Sequence, residues 1–162
     1  MSKPKPFVSN NVISRKYNRP DPLLRSWFVK KVVGGMPLKS RARNRALVYS
    51  AFRSIRLKAR LARPALALGY LFHKLRPLFW VRVYRMGKRV KGIPYRVSPH
   101  KGYKHSVRWF LRAFRARKGS TLQERLEGEL FDAFLGNSIM YKWRKNLTRS
   151  VARNRHNATY RW

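Results

Sequence analysis

From Pro22 to Gln123 this chain carries no acidic side chain, while lysine and arginine recur throughout the stretch. A compact fold built on such a segment cannot neutralise itself. Its cations repel one another, and that repulsion opposes folding until a polyanion is bound. The whole chain repeats the imbalance: 40 Lys and Arg stand against five Asp and Glu, a formal net charge of +35 in 162 residues. Yet 44% of the residues are hydrophobic, enough to fill one core, so the chain is expected to fold rather than stay disordered. Nucleic acid is the partner such a charge favours, because each cation laid on a phosphate also releases condensed counterions.

Other function classes drop out early. Cysteine is absent, so there is no disulfide framework, thiolate nucleophile or cysteine zinc site. The longest near-apolar run, Pro64 to Phe72, is far short of the roughly 20 residues of a membrane helix, and no membrane partner is expected. Lys3 and Lys5 are not followed by an apolar stretch, which argues against a secretory signal. The serines and the lack of acid before Asp21 match a mitochondrial presequence in part; Pro4 and Pro6 oppose its amphipathic helix. His73, His100, His105 and His156 show no metal-ligand spacing, and no glycine-rich phosphate loop occurs. His100 and His105 flank a basic stretch read as a loop and suit nucleic-acid contact better than metal ligation. No cofactor, no metal and no enzymatic activity are expected.

The order of elements follows from periodicity. Residues 1–19, with Lys3, Lys5, Arg15, Lys16 and Arg19, read as an extended basic arm that orders on its partner. Residues 20–162 read as a single domain. A short helix is expected from Leu23 to Val33, closed by Gly34-Gly35-Met36-Pro37. The next spans Ala42 to Leu61, burying Val48, Ala51, Phe52 and Ile55 at helical spacing. Arg53, Arg56 and Arg60 repeat on its neighbouring face. A solvated face normally mixes both signs; with no acid in reach, this stripe suits a phosphate track. Pro64 is placed to start a third helix, which ends near Leu75 and turns Leu68, Phe72 and Leu75 inward.

Residues 78–98 change period. Trp80, Arg82 and Tyr84 alternate with Phe79, Val81 and Val83, and Ile93 to Val97 is a second strand-like run, so a β-hairpin is expected. Its connector, Arg85 to Gly92, carries two glycines and four basic residues. An isolated hairpin is marginal in water, so this one is expected to lean on a partner. Ser106 to Arg117 is helical, with Val107, Phe110, Leu111 and Phe114 on one stripe and Arg108, Arg112 and Arg115 on another. Ser120 and Thr121 offer overlapping capping boxes to a helix that buries Leu122, Leu126, Leu130 and Phe134 and stops at Gly136-Asn137. That helix holds Glu124, Glu127, Glu129 and Asp132, with Glu129 spaced to pair with Arg125. These acids read as structural, not catalytic. A last helix, Tyr141 to Asn154, buries Trp143, Leu147 and Val151 and carries Lys145, Arg149 and Arg153 at spacing four. The expected fold is therefore mainly α, a helical bundle with a protruding β-hairpin arm and a basic extended N-terminal arm.

Laid out in this order, the chain resembles the small-subunit ribosomal protein seven family in its bacterial and organellar form. The likeness covers roughly residues 20–162. Asn157-Ala158-Thr159-Tyr160-Arg161-Trp162 is similar to the family's ending in a small residue, an aromatic, Arg and Trp. Leu47 to Ala51 resembles its signature helix, and Arg76-Pro77 with the aromatic-basic ribbon resembles its junction between helix and arm. Val107 to Phe110, Arg125 to Ala133 and Lys142 to Arg155 resemble its later helices. Met36 to Arg41 departs from the family's glycine followed by two basic residues, though Lys39, Arg41 and Arg43 can serve there.

The resemblance implies a structural protein of the ribosomal small subunit. It would bind the head, on the 3′ major domain of the rRNA, and help to nucleate its assembly. The rRNA contacts would be the N-terminal cations, the positions Lys39 to Arg43, the three arginine and lysine stripes, and Arg155. The hairpin arm, through Arg82, Arg85, Lys88, Arg89, Lys91 and Arg96, would meet exit-site tRNA and mRNA. Neighbouring small-subunit proteins are expected partners, and a homo-oligomer is not. The extreme charge and the 14% aromatic share point to a mitochondrial ribosome. A general nucleic-acid condenser is the alternative. Such proteins tend towards repetitive lysine-rich tails, whereas this chain spaces arginine at helical intervals over a full core. A membrane-active helix would need a broad exposed apolar face, and the apolar faces here look mutually buried.

Overall fold

The computed structural model describes residues 26–58 and 64–160, and the expected N-terminal arm, Arg60 and the final dipeptide lie outside them. The first described helix, α1, spans Trp27–Gly35 and buries Val29, Val32 and Val33. It runs through both glycines, beyond the expected end at Val33, and stops where Met36 turns extended before Pro37. A residue preceding proline is driven out of the helical region, so proline rather than glycine sets this boundary. α2 spans Arg41–Lys58 and buries Val48, Ala51, Phe52 and Ile55, the face its spacing indicated. α3 spans Pro64–Leu75, with Leu68, Phe72 and Leu75 buried and Leu71 beside them.

The hairpin follows. β1, Phe79–Met86, pairs antiparallel with β2, Arg89–Arg96, in a register from Phe79↔Arg96 to Met86↔Arg89. The expected eight-residue connector is thus mostly strand. Only Gly87 and Lys88 turn the chain, and Gly87 sits at φ +58°, the left-handed conformation that a tight hairpin turn needs and glycine adopts without strain. Of the connector's basic residues, Arg85, Arg89 and Lys91 lie on strands, where side chains alternate in direction, and Lys88 lies in the turn.

α4 spans Pro99–Ala116, a start seven residues earlier than the expected Ser106. Extended Ser98 followed by Pro99 in the first turn makes a good helix start, and Gly102 lies buried beneath Arg76. The stretch read as a basic loop is therefore helical, and it carries His100 and His105. α5 spans Leu122–Leu135 with the capping box formed: Thr121 accepts from the Glu124 N–H, and the Glu124 carboxylate accepts from the Thr121 N–H. It ends at Gly136 in the left-handed region, φ +90°. α6 spans Ile139–Arg153, and a 3₁₀ turn follows at Arg155–Thr159.

One core joins the helices. Phe72, Phe110, Phe114, Ile55, Leu68, Leu75, Leu126, Leu130 and Met140 are essentially inaccessible. Each side chain buried on that scale contributes about 1.5–3 kcal/mol. Leu111, Leu122 and Phe134 are half-buried at the edge of this core. So are Trp143, Leu147 and Val151, which were expected to be interior; Met140 is the fully buried residue of α6. α6 lies on the outside of the bundle, where a helix can cover the core with only part of a face.

The hairpin leans on its own chain. Trp80 stacks on His105 of α4 at 4.3 Å between ring centroids, and Trp109 lies 6.2 Å beyond Trp80. On the C-terminal side, buried Asn157 donates through Nδ2 to the Gly92 carbonyl at 3.1 Å. Ile93, Pro94 and Val97 are buried at the base, whereas Val83 and Val90 are each 65% exposed further out. The ribbon is thus anchored at its base and free at its tip.

Candidate nucleic-acid interface

Every carboxylate among the described residues lies on α5, and each is engaged within the fold. Glu124 closes the helix cap and accepts from the Ser120 hydroxyl at 2.6 Å. The Ser120 hydroxyl and the cap N–H groups hold its carboxyl below the ordinary range. Glu127 accepts from Ser54 of α2 at 2.8 Å and pairs with Lys58 at 3.7 Å. Glu129 is buried; burial pushes its carboxyl up, against the Ser138 hydroxyl and Arg117, which favour the anion. The same Arg117 guanidinium pairs with Asp132 and reaches Glu129 at 3.4 Å. The expected partner Arg125 does not take this role. Its Nε donates to the Gly119 carbonyl, and the acids staple α2, the end of α4 and the start of α6 to α5.

With the acids spent in this way, Lys58 and Arg117 are the only cations paired with a carboxylate among the described residues. The remaining positive charge stands uncompensated on the surface. Lys39, Arg41, Arg43, Arg53 and Arg56 are exposed, as are Arg108, Arg112, Arg115, Lys145, Arg149, Arg153 and Arg155. The α6 stripe is continuous along its helix, and Arg53 and Arg56 share one along α2, with Arg60 outside the described residues. The α4 stripe splits: Arg115 donates to the Gly35 carbonyl at the end of α1 at 2.8 Å, and Arg112 lies 5.3 Å from the Trp143 ring. Arg115 there meets the negative end of a helix dipole, a structural task that spacing alone did not reveal.

Two clefts lie side by side along the end of α1. One, of about 450 Å³, is lined by Lys30, Lys39, Arg41 and Arg45 around buried Asn44. The other, of about 430 Å³, is lined by Lys30, Lys31, Lys104 and Arg108 around Trp27, Val107 and Leu111. Lys30 and Gly34 belong to both. Packing therefore places Lys39 and Arg41 in one cleft and Arg108 in its neighbour, and adds Lys30, Lys31, Arg45 and Lys104, which sequence reasoning did not single out. The adjacent lysines of α1 were a visible signal, but their convergence with Lys104 depends on the contact between α1 and α4.

On the arm, Arg82, Arg85, Lys88, Arg89 and Arg96 are exposed. Lys91 is half-buried, its ammonium 4.0 Å from the Tyr160 ring centroid. Residues paired across a hairpin share a face, so Trp80 with Tyr95, Arg82 with Ile93 and Tyr84 with Lys91 lie on one side. There Arg82 donates to the Tyr84 hydroxyl at 3.3 Å and lies 4.9 Å from the Tyr95 ring, contacts that raise its pKa further, Tyr84 most of all. His105, read as an RNA contact, is half-buried under Trp80; burial and then Arg108 lower its pKa. It serves as a stacking support for the arm. No helix is long and apolar enough to cross a membrane, and no metal-binding cluster of His, Asp and Glu occurs, among the described residues.

Comparison with known proteins agrees with this picture. Residues 8–155 match the family model described as ribosomal protein S7p/S5e. The chain is 35% identical over 146 residues to the small ribosomal subunit protein uS7 of Dictyoglomus turgidum, covering 88% of this chain and 92% of that protein. The uS7 protein of Bifidobacterium longum subsp. infantis is 32% identical over the same shares. That of Onion yellows phytoplasma is 26% identical, covering 93% and 96%.

Proposed function

The chain belongs to the ribosomal protein S7p/S5e family, and from that premise we propose that its uncompensated cationic faces hold the rRNA of the small-subunit head. It is a structural constituent of the small ribosomal subunit and not an enzyme. On our reading it binds the 3′ major domain and helps to nucleate that domain's assembly. The observation that carries the reading is the separation of charge. Among the described residues the carboxylates are consumed inside the α5 contacts, and the helices present runs of arginine and lysine that no carboxylate pairs. Such surfaces fix a nucleic acid by its phosphates.

Residues 20–162 act as one domain and as a single copy, with residues 1–19 as an extended arm along the rRNA. The hairpin, anchored at its base and basic at its tip, reaches exit-site tRNA and mRNA with a grip that reads no sequence. Neighbouring small-subunit proteins complete its contacts. The high charge and aromatic content support a mitochondrial ribosome, and gradient fractionation of purified organelles tests that placement. The rRNA reading is tested by replacing Arg53, Arg56 and Arg60 with alanine. Affinity for the rRNA domain falls, and the slope of log K against log salt flattens by about 0.7–0.9 for each phosphate that is no longer neutralised. A triple variant with unchanged affinity and slope refutes the α2 track.

A further inference from the structure

We propose that the cleft between α1 and α4 is a nucleobase pocket, which takes one unpaired base of the bound RNA against Trp27. This rests on the rRNA-binding reading and goes beyond it, because phosphate contacts alone require no cavity. The cleft holds about 430 Å³, within the roughly 300–1,000 Å³ range typical of small-molecule sites and roomy for a nucleotide. Its apolar wall is Val107, Leu111 and the half-buried indole of Trp27. Its rim is Lys30, Lys31, Lys104 and Arg108, all exposed and none paired with a carboxylate among the described residues. An apolar aromatic floor inside a ring of cations matches a flat π system attached to a phosphate, and little else in the chemistry of an RNA partner.

The indole is already held for stacking. Phe28 meets it edge-on at 5.1 Å and His100 lies 5.6 Å away, which fix the ring plane. Lys31 places its ammonium 5.8 Å from the ring centroid. A base arriving over the indole displaces that ammonium and leaves it beside the phosphate that enters with the base. Stacking on a ring is tolerant of base identity, since every base has a π face. The pocket therefore selects an unpaired nucleotide over a paired one and favours no particular sequence.

The test compares a short unpaired oligoribonucleotide with its abasic counterpart, identical in backbone, each titrated into the full chain over a range of salt. Wild type is expected to hold the base-bearing strand about 5- to 150-fold tighter than the abasic one. Trp27→Ala abolishes that contrast and keeps the abasic affinity and its salt slope; Trp27→Phe retains most of it. A second variant leaves Trp27 in place. A Cβ added at Gly34, which lines the cleft, meets nothing within 4 Å, so Gly34→Leu adds apolar bulk at the cleft wall with no clash at Cβ and is expected to reduce the contrast. A contrast undiminished in Gly34→Leu and Trp27→Ala, or absent from wild type, overturns the pocket. If neither strand binds in a salt-dependent way, the broader RNA reading fails as well, so the two failures are distinguishable.

Discussion

Replacing Arg117 by methionine removes the guanidinium that links Glu129 and Asp132 while keeping much of its aliphatic packing. The Glu129 side chain is 5% exposed and that of Arg117 31%, so the pair is neither fully buried nor on open surface. Breaking a buried pair by deleting one partner costs about 3–5 kcal/mol, and an exposed pair contributes at most about 1 kcal/mol. Here the Ser138 hydroxyl still donates to Glu129, and Arg117 already meets water, so about 1–2 kcal/mol is expected. For a chain of this size that lowers Tm by roughly 2–8 °C. The pH dependence is more diagnostic. Glu129 has a raised carboxyl, so the folded state binds its proton more readily than the unfolded state, and stability falls as pH rises from the ordinary carboxylate value of 4.5 through the raised one. Without Arg117 the carboxyl is pushed up further, so the deficit is small under acid conditions and grows towards neutrality. Circular dichroism melts from pH 4.5 to 8 at fixed salt measure this, and Arg117→Met with Glu129→Gln should recover most of the loss. A deficit that is absent, or that shrinks as pH rises, would refute a buried carboxylate held by Arg117.

Three further outcomes are expected. Thr121→Ala removes the α5 cap and costs about 1 kcal/mol, read as a lower denaturation midpoint. The Glu124 contribution to that cap is present above the unfolded carboxyl value and lost as pH falls through its depressed one, the reverse of Glu129. Gly92→Ala brings a methyl group within 2.9 Å of Val81 and 3.1 Å of the Asn154 side-chain oxygen; hydrogen exchange should show the hairpin base loosening while the helical core keeps its protection. Replacing Arg85–Val90 with Asn-Gly makes Tyr84↔Lys91 the closing pair; subunits should still assemble, with exit-site tRNA retention or reading-frame fidelity altered. Failed head assembly without a tRNA phenotype would instead assign the arm to rRNA.

Periodicity carried most of the helical architecture. The buried faces of α2 and α3 repeat every three to four residues, and no alternative structure satisfies Val48, Ala51, Phe52 and Ile55 at once. The cap at Thr121 and the stop at Gly136 were legible for the same reason, since both depend on residues within one turn of each other. Charge likewise needs no fold: a segment without acid exposes cations however it packs. Where the sequence misled, local chemistry was overruled by contacts distant along the chain. Gly35 and Gly102 sit inside helices, where Leu111 and Arg76 close in on them from elsewhere in the fold. Tyr84 to Met86 and Arg89 to Lys91 are ladder residues because each strand supplies the other's hydrogen bonds.

The sequence by itself determined most of the helical segments, the apolar faces of α2 and α3, and an excess of cations that favours a polyanionic partner. All of these depend on spacing or composition, which are properties of neighbours along the chain. Only the tertiary structure decided which charges are free. Arg117 and Arg108 look alike in sequence, yet one is spent on Glu129 and Asp132 and the other opens into a cleft beside Trp27. Whether a cation is neutralised depends on a distance of a few ångströms across helices, because Coulomb attraction and desolvation act through space and not along the chain.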